Sequence, residues 1–100
     1  MATTSKTLFR GAASGVSTTL YTTPASTVTV VTSIIVTNTT ASQQTFTLSL
    51  GGTVLAQDVI IASYDSLVID IKQVLTATQV IAGLASSTSV NFHIAGVEIV

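Results

Sequence analysis

The stretch Gln44-Thr45-Phe46-Thr47-Leu48-Ser49-Leu50-Gly51-Gly52-Thr53-Val54-Leu55-Ala56 decides the class of fold. Phe46, Leu48 and Leu50 alternate with Thr45, Thr47 and Ser49, so one face is apolar and the other polar, the period of a half-buried strand. Gly51-Gly52 follows at once and a second strand-like run resumes. Two small residues between such runs predict a hairpin with a primed turn, because glycine accepts the positive φ that this turn needs.

Working outward, the same period recurs nearly everywhere. Upstream, Thr27 to Thr37 is a β-branched run with apolar groups of both parities (Val28, Val30, Val31, Ile34, Ile35, Val36). It reads as a central strand, or as one that bends so that each end buries a different face. Asn38-Thr39-Thr40-Ala41-Ser42 breaks it with turn residues. Downstream, Leu67, Ile69 and Ile71 alternate with Val68 and Asp70. Val90, Phe92 and Ile94 alternate with Asn91, His93 and Ala95. Gly96 reads as a break before a short final strand, Val97 to Val100, whose apolar run has to be paired to avoid an exposed edge. Weaker strand signals cover Thr7 to Gly11, Thr18 to Thr23, Val59 to Ile61 and Gln79 to Leu84. Lys72 to Leu75 has room for one helical turn. Pro24, the sole proline, falls between strands, where a missing N–H does least harm. About seven to nine short strands at this spacing predict an all-β antiparallel β-sandwich of jelly-roll-like form. Residues 1–6 carry nothing to bury and are expected to form a flexible arm, leaving residues 7–100 as one β-sandwich domain.

Composition limits the function. The chain has 100 residues, 47% of them apolar and only 7% charged, against about 25% charged in ordinary domains. Ser and Thr fill nearly a third of the positions, and a net charge of −1 gives little protection from association. Such a surface is either a Thr-rich solvated sheet or one that meets neighbouring copies or a larger lattice. Three scattered cations, Lys6, Arg10 and Lys72, cannot make the basic stripe that phosphate contacts require, so nucleic acid is not expected as a direct partner. The longest apolar runs fall far short of the roughly 20 residues of a membrane span. The amino terminus lacks an apolar run of the length a secretory leader needs, which predicts cytosolic synthesis or a mature chain already processed. With no cysteine, disulfides and thiolate metal sites are excluded.

Candidate chemistry is sparse. His93 is the only histidine and its parity is opposite to the core residues beside it. A general base needs a nucleophile and an orienting group, and a metal needs several ligands, so His93 reads as a surface or interface residue. Asp65 reads as a turn residue and lies out of phase with Asp70, so the two do not form a carboxylate pair. No cluster of acids suits calcium, and no lysine follows Gly51-Gly52 as a phosphate loop would require. Asn38-Thr39-Thr40 matches a glycosylation sequon, an undemanding match in so Thr-rich a chain. The spaced pairs Thr27/Thr29, Thr37/Thr39, Thr45/Thr47 and Thr76/Thr78 fall at irregular intervals, so they read as solvent-facing alternation and not as a flat ice-binding array. A carbohydrate platform would have only Tyr21 and Tyr64 to use. No catalytic, cofactor-binding or metal-ligating residue is assigned, and no enzyme activity is expected.

Taken whole, the chain resembles small virion proteins of tailed bacteriophages. The likeness runs through Leu8-Phe9-Arg10-Gly11-Ala12-Ala13, Thr18-Thr19-Leu20-Tyr21-Thr22-Thr23-Pro24-Ala25 and Val36-Thr37-Asn38-Thr39. It continues in Asp70-Ile71-Lys72-Gln73-Val74-Leu75 and Val90-Asn91-Phe92-His93-Ile94-Ala95-Gly96-Val97-Glu98. The resemblance implies a non-enzymatic particle component located in the virion and assembled in the host cytoplasm. Its leading form is a capsid decoration, or cement, protein that clamps neighbouring copies of the major capsid protein. A closed homo-oligomer is then expected, and a trimer suits local three-fold positions of an icosahedral lattice. The arm and the strand edges would make the contacts by β-augmentation. A tail-associated subunit contacting tail proteins or a host surface polymer is the alternative, and a cellular carbohydrate-binding or adhesin-like module a further one.

Overall fold

The structure, a computed structural model, describes residues 2–100. Eight strands follow one another: β1 (Thr3–Ala12), β2 (Thr18–Thr22), β3 (Val28–Asn38), β4 (Gln44–Leu50), β5 (Thr53–Ile61), β6 (Ser66–Leu75), β7 (Val80–Ala85) and β8 (Val90–Ile99). The β4–β5 hairpin is the innermost unit. Gly51 and Gly52 carry φ of 58° and 82° between the paired residues Leu50 and Thr53, as a primed turn requires. Around it the chain nests three further antiparallel pairs, β3 with β6, β2 with β7 and β1 with β8. Pairing of β3 with β8 and of β4 with β7 then closes two four-stranded sheets. Sheet A has the order β1-β8-β3-β6 and sheet B the order β2-β7-β4-β5. Every connection except the innermost hairpin changes sheet, which is the jelly-roll path and confirms the expected sandwich.

Alternation puts one face of each sheet into the core. Phe46, Leu48 and Ile81 from sheet B meet Val31, Ile34, Val36, Phe92 and Ile94 from sheet A, all nearly or fully buried. Phe46 and Phe92 meet edge to face across the sandwich, with ring centroids 6.2 Å apart at 70°, an arrangement that aromatic quadrupoles favour. β3 is central, as its two-faced apolar pattern predicts. A bulge at Thr32, where the register slips against both neighbours, lets Val31 and Ile34 both point inward.

Several expectations are corrected. Thr3 to Lys6 are not an arm: they pair with Gly96 to Ile99 as the start of β1. The backbone ladder and a Lys6–Glu98 ion pair of 3.4 Å hold a segment with little to bury; Met1 lies outside the described residues. Gly96 does not end a strand, since β8 runs unbroken from Val90 to Ile99. It is required because a Cβ there would sit 2.4 Å from the Val30 carbonyl oxygen. The carboxy-terminal run is paired in its own sheet, between β1 and β3. Lys72 to Leu75 continues β6 with no helical turn. Thr27 and Thr29 face the core, at 5% and 0% exposure, and not solvent.

Candidate interaction surfaces

With the core closed, the candidate surfaces are the polar clusters between the sheets, the strand edges and the outer faces. One inter-sheet polar cluster is built by β1, β2, β3 and β8. Tyr21 reaches from sheet B to sheet A, where its hydroxyl donates to the Glu98 carboxylate and lies 2.8 Å from Thr29 Oγ1. The hydrogen bond from Tyr21, helped by Lys6, holds the Glu98 carboxyl below the usual range. Burial, and then Glu98 itself, push the Tyr21 phenol up. The Glu98 shift is that of a carboxylate whose charge is shared by a phenol and an ammonium. The cluster is a clasp between the sheets.

A second cluster surrounds Asn38, fully buried at the end of β3. Its Nδ2 donates to the carbonyls of Ser42, Ile61 and Ala62 at 2.9, 3.2 and 3.1 Å, while Oδ1 accepts from Thr40 N and Thr40 Oγ1 at 2.9 and 2.7 Å. The sequon is therefore structural: the nitrogen that a glycan would occupy is buried and engaged. Among the buried side-chain polar atoms of the described residues, Thr23 Oγ1 is the one without a partner.

The singled-out residues do not converge. His93 lies on the outer face of sheet A in a shallow recess of about 210 Å³ with Thr7, Arg10, Ser33 and Ile35, and no carboxylate shares it. Asp65 ends the β5–β6 loop and accepts the Ser66 amide at 2.8 Å, the turn role expected of it. Asp70 projects outward from β6 and is exposed. Among the described residues, no three His, Cys, Asp or Glu side chains are placed to hold a metal. Tyr21 is tied to Thr29 at the start of β3, whereas the exposed Tyr64 bonds through its amide to Thr40 just past the end of that strand. The two tyrosines thus sit at opposite ends of the sandwich and form no common platform.

The edges carry a feature that the sequence did not reveal. All four edge strands are bulged. β1 bulges between Thr7 and Phe9, β2 between Thr19 and Tyr21, β6 opposite Val31 and Ser33, and β5 twice. On β5, Asp58 has φ of 48° and turns its amide inward to Thr47 Oγ1, 3.0 Å away. Bulges twist and interrupt an edge and so discourage strand addition, which removes support for β-augmentation as the mode of contact.

The outer faces remain. In sheet A they form cross-strand rows: Thr3–Ile99–Val28, Ser5–Val97–Val30–Val74, Thr7–Ala95–Ser33–Asp70 and Arg10–His93–Ile35–Val68. Val68 and Val74 are each 59% exposed, so this face offers valine to solvent where an ordinary sheet offers charge. Sheet B is covered by Thr19, Ala82, Ser49 and Val54 in one row, with Thr45 beside the 61%-exposed Ile60 in another.

Comparison with known proteins bears on the fold. No protein-family model and no curated protein matches the chain. Its structure is similar to part of a chain from the T13 viral particle of IBDV, with a TM-score of 0.59 and 12% identity, over 97% of this chain. The chain spans 30% of the length of that one. At this identity the likeness concerns the jelly roll alone, an architecture common to viral capsid and lectin domains.

Proposed function

We propose that this chain is a non-enzymatic structural protein of a virion, in its leading form a capsid decoration subunit that clamps neighbouring capsid proteins. The observation that carries the reading is a complete jelly roll whose outer faces are dressed largely in Thr, Ser and Val, with few charges. Such faces gain from being covered by protein, and the similarity to part of a viral-particle chain supports the same direction. The proposed partners are further copies of this chain, in a closed oligomer, and the major capsid protein. The mechanism is additive: each subunit buries apolar and hydrogen-bonded area across a joint that internal pressure tends to open. Particles assembled without this chain are expected to release their contents at lower temperature or milder osmotic shock than complete ones, with host adsorption unchanged. Particles of unchanged strength that no longer adsorb would move the role to the tail.

A further inference from the structure

The bulged edges leave faces as the route to self-association, and the outer face of sheet A carries charges in a self-complementary arrangement. Arg10 lies on the β1 side of that face and Asp70 on the β6 side, one row apart and both exposed. Among the described residues the one ion pair is Lys6–Glu98, so neither Arg10 nor Asp70 is neutralised within the chain.

We propose that two copies pair through this face, sheet A on sheet A, about a two-fold axis running along the strands between β8 and β3. This operation lays β1 over β6 of the second copy and β8 over its β3. Val97 then meets Val30 of the second copy, Ile99 meets Val28, and Ser5 meets Val74. Arg10 falls over Val68, one row from Asp70. That step is about 7 Å along a strand, which an arginine side chain spans. By symmetry the contact occurs twice, as an isologous interface demands. An axis across the strands would instead lay β1 on β1 and leave both charges without partners, so the charge pattern selects the axis. Four strands of about ten residues cover roughly 600 Å² per copy, which places the pair at the lower end of specific interfaces. The arrangement is two-fold and departs from the trimer expected above. It deepens the subunit reading and rests on it for its purpose, but its test uses the isolated chain, so either can fail alone.

The test is the solution mass of the full chain by sedimentation equilibrium at micromolar concentration. The wild type is expected to give a two-chain mass. Arg10→Asp and Asp70→Arg, each alone, place like charges at both contacts and are expected to weaken association about 100-fold. Mixed in equal amounts, the two variants again set opposite charges against each other at both contacts of a mixed pair, and the two-chain mass is expected to return. Val74→Lys, on an exposed position, is expected to weaken the pair with no rescue in either mixture. A monomeric wild type would overturn the proposal. So would a three-chain species, or a mixture of the charge variants that stays monomeric.

Discussion

Replacing Gly96 by alanine is expected to destabilise the protein by about 3 kcal/mol or more, although it adds a single methyl group. That carbon would sit 2.4 Å from the Val30 carbonyl oxygen and 2.9 Å from Leu8 Cδ1. The first obstacle is backbone, so no rotamer change relieves it. β8 has to move away from β3 at the centre of sheet A, where it also carries β1. Gly15 supplies the control, since a Cβ there meets nothing within 4 Å, and Gly15→Ala is expected to stay within about 0.5 kcal/mol of wild type. Urea denaturation of both variants checks the pair. Equal midpoints would mean that the close approach of β8 to β3 has been misread.

Replacing Asn38 by leucine is expected to cost about 3 kcal/mol by the same measurement, which for a domain of this size lowers the midpoint of thermal unfolding by roughly 12–25 °C. Leucine keeps the branching and the number of side-chain heavy atoms, though its methyl groups are bulkier, and it leaves the buried carbonyls of Ile61 and Ala62, and the Thr40 amide, without their partner. These groups join the end of β3 to the β3–β4 turn and to the β5–β6 loop, so the loss falls where three segments meet. Asn38→Asp separates hydrogen bonding from packing. A carboxylate keeps the contact with Thr40 but faces three carbonyl oxygens, whereas its protonated form can donate to one of them. Burial against these oxygens holds the native carboxyl above its ordinary range, so the aspartate variant is expected to recover stability as pH falls through that raised value toward the ordinary carboxyl range, with no further gain below it. A leucine variant as stable as the wild type would show that the cluster is ornamental.

What the sequence revealed, and what it did not, divides along sequence separation. Phe46, Leu48 and Leu50 against Thr45, Thr47 and Ser49 made β4 legible, and Gly51-Gly52 made its turn legible, because both signals are local. The nesting of β3 with β6, β2 with β7 and β1 with β8 was not legible. Pairs such as Thr3 with Ile99 lie at opposite ends of the chain, and alternation says which face a residue takes without naming its neighbour. Gly96 misled for a related reason: glycine marks turns locally, but here it answers a carbonyl on another strand. Thr27 and Thr29 misled because threonine suits either face of a pleat. Asn38 was read as a turn residue, and its role depends on the carbonyls of Ile61 and Ala62, 23 and 24 positions away. The candidate surface was legible only in outline. Low charge left a solvated sheet and contact with neighbours both open, and the opposed placement of Arg10 and Asp70 exists only once sheet A is assembled.

The proposed role, a structural part of a virus particle, is tested most directly by the copy number of the chain in purified particles. Quantitative mass spectrometry against the major capsid protein is the measurement. Decoration of the lattice predicts a ratio near one or a simple fraction of it. A handful of copies would place the chain in the tail, and its absence from the particles would contradict the account.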